Sequence, residues 1–470
     1  MPESGNKLST ILVIFLIGAI ITRLPFPEQF STDAKMMIAI AFVAAALWVT
    51  EALPIPVTAM LVILLQGLFG IQPFSVALSF IAHKVNVLLV AGFIIAAGLK
   101  KYDLDKRIGL KFVSLVGERT DRLILGIMAG TAFLSMWISN TAATAIMIPI
   151  GIGILKKAKD YPKGTNMGKA MILGIAFAAN IGGMGTPVGT PPVPITIAFL
   201  EDLAGISISF FDWVIRAVPL LILLIPLSWK LVTTIYKPEI DRIEGGIEMV
   251  KEELKELGSL THRQKHFLAL FAIALGLWLL SAFDVWLPLP EDWLYIASVL
   301  ICFIFVFPRV GVLNWKEATD EIGWGILILV GGGLALGSGL QVTGVIDIIA
   351  NNMEYLVADA GLIFVIAAVG FITAYSITLF SSLTATSSTF VPVAIAMALK
   401  LDMSPTLLAL VAGVAACFAF LLPANTPPNA IAYSSGYFET MEMTKAGIIL
   451  TALCISALVI VAYVFWAPFS

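Results

Sequence analysis

The sequence predicts an all-α, polytopic membrane protein, and three observations support this prediction. First, the 470 residues are 59% hydrophobic and 13% charged, with a mean hydropathy of +0.98, whereas soluble domains are about half apolar and a quarter charged. Second, the apolar runs are long enough to cross a bilayer as helices. Third, two polar motifs recur within apolar surroundings, so the chain divides into two similar halves.

Apolar segments and the residues that interrupt them predict about eleven transmembrane helices and two helical hairpins. The predicted spans cover about 9–24, 35–51, 56–70, 85–100, 168–200, 208–235, 266–283, 292–307, 324–342, 404–437 and 444–467. The hairpins cover about 123–155 and 360–400. The spans at 168–200 and 404–437 are predicted to be broken in the middle, because prolines within them remove helical hydrogen bonds.

Basic residues beside the first hairpin segment predict that it is re-entrant. They precede it at Arg119 and Arg122 and follow it at Lys156, Lys157, Lys159 and Lys163. Because such residues favour the cytoplasmic side, we expect both ends of the hairpin there, together with the N-terminus of the chain. Two ordinary short spans, or one long kinked span, are the alternatives. A second hairpin that enters from the opposite face completes an inverted repeat, which is typical of secondary transporters.

The halves are joined by one strongly charged stretch. Residues 1–237 form the first predicted half, whose N-terminal apolar stretch we interpret as a retained span and not as a cleaved signal peptide. Residues 238–262 place apolar side chains at helical spacing among charges, which predicts an amphipathic helix at the cytoplasmic interface; a solvated linker is the alternative. Residues 263–470 form the second half.

Two motifs carry the functional prediction. The run Ser139–Pro149 begins Ser-Asn-Thr, and the run Ser382–Pro392 begins Ser-Leu-Thr at a constant offset of 243 residues (382 − 139 and 392 − 149). Thr190-Pro191-Pro192 has a counterpart in Thr426-Pro427-Pro428. Helix N-termini in a membrane expose N–H groups and partial positive charge, which can hold a carboxylate without a basic side chain. Freed carbonyl groups with Ser, Thr and Asn oxygens suit Na⁺.

Other classes of function find little support. No Gly-Lys-Ser/Thr phosphate loop is present, so ATP-driven pumping is not expected. The hydroxyl-rich motifs have no His, Asp or Glu nearby to activate a nucleophile, which argues against an enzyme. A channel would need a continuous polar path. Cys302, Cys417 and Cys454 all lie in apolar runs, so neither a disulfide framework nor a Cys-based metal site is indicated.

These motifs, together with the run Trp48-Val-Thr-Glu51-Ala-Leu-Pro54, resemble the divalent anion:sodium symporter (DASS) family of di- and tricarboxylate transporters over essentially the whole chain. The resemblance implies an elevator-type homodimer with scaffold and transport domains, embedded in the lipid bilayer of the cell inner (plasma) membrane. We expect a small-molecule dicarboxylate as its partner and no nucleic acid.

The resemblance also implies site residues. Those that would contact the substrate carboxylates are Asn140, Thr141, Thr190, Ser382, Thr384, Thr426 and Pro427. Those of a first sodium site would be Ser135, Ser139, Asn140 and Gly189. Those of a second sodium site would be Thr378, Ser381 and Asn425. The chain departs from the family pattern at Leu383, where the family has an Asn that serves cation and substrate. We therefore hypothesise that Asn425 is a relocated ligand.

The function expected from these residues is secondary active transport of C4-dicarboxylates such as succinate, malate or fumarate, coupled to Na⁺. Loss of the amide at Leu383 makes Na⁺-independent exchange of one dicarboxylate for another the main alternative. Citrate or sulfate are alternative substrates.

Overall fold

A computed structural model describes residues 3–158, 163–280, 289–357 and 361–469. Within these ranges the regular structure is helical, apart from an isolated antiparallel bridge between Arg119 and Arg242. Three predicted features fall partly outside the described residues. They are the flanking residue Lys159, the end of the span at 266–283 and residue 360 of the second hairpin.

The helices follow the predicted order. Up to residue 235 they are α1 (Glu3–Ile21), α2 (Thr32–Thr50), α3 (Ile55–Leu68), α4 (Phe74–Ser79), α5 (Val85–Lys101), α6 (Leu104–Ser114), α7 (Thr120–Ser135), α8 (Asn140–Lys157), α9 (Asn166–Gly183), α10 (Pro192–Ala204) and α11 (Phe210–Ile235). After them come α12 (Gly246–Glu256), α13 (His262–Leu279), α14 (Trp293–Val306), α15 (Trp315–Asp320), α16 (Trp324–Val342), α17 (Val345–Val357), α18 (Leu362–Phe380), α19 (Leu383–Lys400), α20 (Pro405–Ala415), α21 (Pro427–Ser434) and α22 (Thr440–Val461).

Many of these helices are apolar enough for a bilayer. In the described ranges, six are long and apolar enough to cross it: Thr32–Thr50, Phe74–Lys101, Phe210–Ile235, Trp324–Val342, Leu383–Lys400 and Thr440–Trp466. Shorter apolar helices cover Lys7–Ile21, Ile55–Leu68, Trp293–Val306, Leu362–Thr378 and Pro405–Ala415. Large apolar side chains are also exposed along α1, α3, α11 and α14. The prediction of an all-α, multi-pass membrane protein is confirmed, while the count of eleven spans stays a prediction.

Each predicted hairpin consists of two helices that pack against each other. The first is α7 and α8, joined by a turn at 136–139, and the second is α18 and α19, joined at 381–382. Each hairpin precedes an interrupted pair of helices, α9 and α10 in one case and α20 and α21 in the other. The Thr-Pro-Pro motifs lie where α10 and α21 begin, so both kinds of motif lie at helix ends. The membrane orientation of the hairpins stays a prediction.

Two large apolar cores hold most of the helices together. The larger contains buried side chains from α5 to α14 and from α18 to α22. The smaller contains side chains from α2, α3, α16, α17 and α19. Helix α16 contributes to both cores, with Val330 and Leu334 in the larger and Leu336 and Leu340 in the smaller. Helices α16 and α19 are therefore where the two cores adjoin.

Helices also form where the sequence predicted no span. They include α6 and α17, each of which directly precedes a hairpin. In the charged connector, residues 246–256 form α12, which packs on α6 and α8 with Ile247 and Val250 buried. Lys106 of α6 pairs with Glu253 of α12 at 2.9 Å. The connector is thus attached to the first hairpin and to the helix before it.

Candidate functional site

The first hairpin ends in a turn that supports a helix N-terminus. Ser139 is the N-cap of α8, and its Oγ accepts a hydrogen bond from the N–H of Ala142 at 3.2 Å. Asn140 begins the helix and is 7% exposed. Thr144 donates to the carbonyl oxygen of Asn140 at 2.8 Å. Because the first N–H groups of a helix have no partner within it, this tip presents donors to the space in front of it.

Behind the tip, the hydroxyl of Ser135 lies close to two acceptor oxygens but has only one proton to donate. The Oγ atom of Ser135 lies 2.7 Å from Oδ1 of Asn140 and 2.8 Å from the carbonyl oxygen of Ala179. A hydroxyl group has one proton, so it can donate to only one of these two oxygens. Ser135 is fully buried, so bulk water does not reach its hydroxyl group. Such a cluster of hard oxygen ligands is suited to a small cation.

Two glycines allow close packing of oxygen atoms around the same cluster. A Cβ atom on Gly183 would collide with Oδ1 of Asn140, and one on Gly189 would lie against the carbonyl oxygen of Gly183 and 2.8 Å from that of Ser135. Helices α7 and α9 both end here, and helix C-termini carry partial negative charge. The structure thus brings together Ser135, Asn140 and Gly189 of the first predicted sodium site, with Ser139 as the adjacent cap.

The first Thr-Pro-Pro motif shares a cavity with the first tip. Thr190 is 2% exposed, and α10 begins at Pro192. A cavity of about 30 Å³ is lined by Trp137, Ser139, Gly189 and Thr190 together with residues of α5 and α16. A water molecule needs a cavity of about 10–15 Å³, so the space holds about two waters. Helix α5 therefore closes the site on one side.

The second tip repeats the capping arrangement. Ser382 is the N-cap of α19, and its Oγ accepts from the N–H of Ala385 at 3.3 Å. The preceding residue, Ser381, ends α18 in the left-handed region with φ 44°. Thr426 caps α21 by accepting from the N–H of Asn429 at 3.4 Å. Both halves therefore expose helix N-termini beside buried hydroxyl groups.

The other predicted residues of the second half differ in exposure. Thr384 is buried, Leu383 is half-buried and Pro427 is exposed. The hydroxyl of Thr378 donates to the carbonyl oxygen of Tyr375 in its own helix. The predicted second sodium residues all lie near the C-terminal end of α18, because the side chain of Asn425 donates to the carbonyl oxygen of Ile377 at 3.3 Å.

A buried pair of amides, which the sequence prediction did not identify as a pair, connects the halves. Nδ2 of Asn180, in α9, donates to Oδ1 of Asn429 and to the carbonyl oxygen of Ala419, both at 3.0 Å. Asn429 in turn donates to Ala419 at 2.9 Å and to the carbonyl oxygen of Leu422 at 3.0 Å. Both amides are fully buried. A polar side chain in an otherwise apolar membrane helix often indicates a functional position. This signal could have identified Asn180 from the sequence.

Hydrogen bonds of this amide pair connect the surroundings of the two hairpin tips. Ser135 contacts the carbonyl of Ala179, the neighbour of Asn180, and Asn429 contacts Leu422, whose N–H contacts Asn425. In the described part of the chain, no hydrogen bond joins residues 139–141 directly to residues 382–384. Their convergence on one substrate stays a prediction.

Known proteins are similar to this chain over nearly its full length. The family model described as "Sodium:sulfate symporter transmembrane region" matches residues 5–470. A protein of Staphylococcus saprophyticus named sodium-dependent dicarboxylate transporter SdcS is 32% identical over 473 residues, covering 96% of this chain and 89% of the relative. The SdcS protein of Staphylococcus aureus strain USA300 is 32% identical over 487 residues, covering 99% and 92%.

One solved structure supports the fold. The YdaH transporter of Alcanivorax borkumensis, whose crystal structure was described as having an unusual topology, matches with a TM-score of 0.53. The match covers 82% of this chain and 86% of that chain at 14% identity. At this identity the likeness concerns the fold alone.

Proposed function

This chain belongs to the sodium:sulfate symporter family, and we propose that it carries C4-dicarboxylates such as succinate, malate or fumarate across the membrane together with Na⁺. The relatives named sodium-dependent dicarboxylate transporters support both the substrate class and the coupling ion. A role as a transporter also agrees with motifs that lack an activated nucleophile.

The observation that carries the proposal is the pair of helix N-termini in each half, of which those of α8, α19 and α21 are capped by a hydroxyl. The caps Ser139 and Ser382 open α8 and α19, and the Thr-Pro-Pro motifs open α10 and α21. None of these motifs contains Lys, Arg or His. A carboxylate held by backbone N–H groups and helix dipoles can leave again without breaking a strong ion pair. Two such ends, one from each half, suit the two carboxylates of a short diacid.

The proposed substrate ligands are those that the family resemblance implies: Asn140, Thr141, Thr190, Ser382, Thr384, Thr426 and Pro427. Ser135, Ser139, Asn140 and Gly189 are the proposed ligands of a Na⁺ ion that travels with the substrate. The cavity beside Thr190 holds about two waters, which is too little for a four-carbon diacid. A relative movement of α5 and the first tip is therefore part of the proposed cycle.

We infer that this movement belongs to an elevator mechanism. In it, a transport domain that carries both hairpins moves against a scaffold domain within each protomer of a homodimer. The two inverted halves, 1–237 and 263–470, would supply both domains, and the connector 238–262 would lie on the cytoplasmic side with the N-terminus. The proposed location is the plasma membrane.

Uptake of labelled succinate into proteoliposomes tests the proposal. We expect an inward Na⁺ gradient to stimulate uptake into empty vesicles several-fold over a choline gradient, and unlabelled malate or fumarate to compete. Uptake that needs vesicles preloaded with dicarboxylate and ignores Na⁺ would instead establish exchange. Competition by citrate or sulfate, but not by malate, would overturn the assignment of the substrate.

A further inference from the structure

The two halves differ in the oxygen atoms that surround the position of Ser135. The constant offset of 243 residues pairs Ser135 with Thr378 and Asn140 with Leu383. Leu383 has no oxygen in its side chain, and the hydroxyl of Thr378 donates to Tyr375 in its own helix. In the first half, the corresponding hydroxyl lies between two oxygens of other segments. The amide oxygen of Asn140 therefore has no counterpart in the second half, and the hydroxyl that remains there is held within its own helix.

The backbone carbonyls differ in the same direction. The two Thr-Pro-Pro motifs are 236 residues apart (426 − 190), which also aligns Pro187 with Pro423 and Gly183 with Ala419. The carbonyl oxygen of Ala419 accepts from the amides of Asn180 and Asn429, at 3.0 and 2.9 Å. A carbonyl oxygen has two lone pairs, so this one is fully used. The equivalent carbonyl of Gly183 faces Gly189.

Asn425 occupies the position that corresponds to Gly189. Its side chain is 1% exposed, and its orientation is fixed, because the N–H of Leu422 can only donate and lies 2.9 Å from Oδ1. Nδ2 consequently points to the carbonyl oxygen of Ile377 at 3.3 Å. An N–H donor directed at a carbonyl carries the partial positive charge that a bound cation would otherwise supply, while the oxygen of this amide is already engaged.

We propose that the amide of Asn425 takes the place of a cation in the second half, so that the transporter binds a single Na⁺ per chain, at Ser135 and Asn140. This inference rests on the proposed sodium-coupled transport, and it gives Asn425 a different role from that of a relocated ligand. The amide satisfies the end of α18 permanently, whereas the first cluster is satisfied only when Na⁺ is bound. Carrying a dianion with a single Na⁺ moves net negative charge with the substrate.

Equilibrium dialysis of the purified full-length protein against ²²Na⁺ tests the number of sites. We expect one saturable Na⁺ per wild-type chain. Ser135→Ala should weaken that binding at least tenfold, because it removes the central oxygen of the cluster. The matched variant Thr378→Ala removes the hydroxyl at the equivalent position and should retain one Na⁺. Leu383→Asn with Asn425→Gly restores the first-half residues in the second half and should raise the number towards two.

The outcomes separate this inference from the proposed function. Two Na⁺ per wild-type chain, or equal weakening by Ser135→Ala and Thr378→Ala, would overturn the single site while leaving symport intact. No Na⁺ binding, together with succinate uptake that ignores Na⁺, would overturn symport and with it the single site. Thermal unfolding in detergent verifies that each variant is folded. If the double variant is not, the wild type and the two alanine variants still decide the matter.

Discussion

The first hairpin packs its tip against glycines, whereas the second packs its tip beside buried amides. At the first, Gly183 and Gly189 bring carbonyl oxygens close to Ser135 and Asn140. At the second, Asn425 donates to the carbonyl oxygen of Ile377, and Asn429 donates to that of Ala419, the counterpart of Gly183. The capping of the two tips is alike, since both Ser139 and Ser382 accept from an N–H three residues later.

This comparison separates two requirements of the proposed site. An anion needs helix N-termini, which the backbone supplies in both halves once a hydroxyl caps them. A cation needs oxygen lone pairs directed at it, which depend on individual side chains and on how closely carbonyls approach. The halves have kept the first feature and diverged in the second.

The largest effect is expected from Gly189→Ala. The added Cβ would lie against the carbonyl oxygen of Gly183 and 2.8 Å from that of Ser135, and backbone atoms cannot rotate away as side chains do. Overpacking of this kind costs about 1–3 kcal/mol. Because about 1.4 kcal/mol corresponds to tenfold in an equilibrium constant, we expect the apparent affinity for Na⁺ in succinate uptake to fall about tenfold or more.

Gly276→Ala is the matched control for this substitution. Gly276 lies within α13, and a Cβ there would meet no atom within 4 Å. Alanine in place of glycine within a helix is favourable by about 0.8–1 kcal/mol, so uptake and Na⁺ affinity should stay at the wild-type level. Normal Na⁺ affinity in Gly189→Ala would show that close approach of the carbonyls does not serve the cation.

Most of the fold could be predicted because the helix boundaries depend on residues that are close together in the sequence. Long apolar runs and prolines placed the helices to within a few residues, and the resemblance to a known family is confirmed by the match to its model. Helices α6 and α17 were missed, because α6 mixes Asp105, Lys106, Arg107 and Lys111 with apolar residues and α17 is short. A search for long apolar spans does not detect amphipathic helices of this length.

The motifs at the helix ends could be predicted from the sequence, and the contacts of their residues less so. The repeated motifs identified the two tips and both Thr-Pro-Pro breaks. The partnership of Asn180 with Asn429 joins residues 249 positions apart, and local pattern carries no information about such a pair. Likewise, the hypothesis that Asn425 is a ligand could not consider Leu422, whose N–H determines which end of the amide faces α18.

An intermediate effect is expected from the buried amide pair that connects the halves. Asn180→Ala and Asn429→Ala each leave buried groups without a partner, which costs about 1–3 kcal/mol. We expect a lower unfolding temperature of the purified protein for each variant. Since the two side chains contact each other, the double variant should lose less stability than the two single variants together, with a coupling free energy of about 0.5–3 kcal/mol.

Asn352→Ala provides the control for the amide pair. Asn352 donates to the carbonyl of Ile348 in its own helix at an exposed position, and surface substitutions usually change stability by less than about 0.5 kcal/mol. Strict additivity of Asn180→Ala and Asn429→Ala would mean that the pair does not connect the halves energetically.

The smallest effects are expected from the two caps, and here the halves should behave alike. Ser139→Ala and Ser382→Ala each remove a hydroxyl acceptor at a helix N-terminus. The backbone nitrogens that donate to these hydroxyls lie 3.2 and 3.3 Å away. Loss of such a cap costs about 0.5–2 kcal/mol. The KM for succinate should therefore rise several-fold in both variants. Threonine also caps helices, so Ser→Thr at either position should retain much of the wild-type affinity. Under a saturating Na⁺ gradient the two rises should be of similar size. A rise in Ser139→Ala alone would show that the anion, like the cation, is held by the first half, and the proposed division of labour between helix ends and side-chain oxygens would then be wrong.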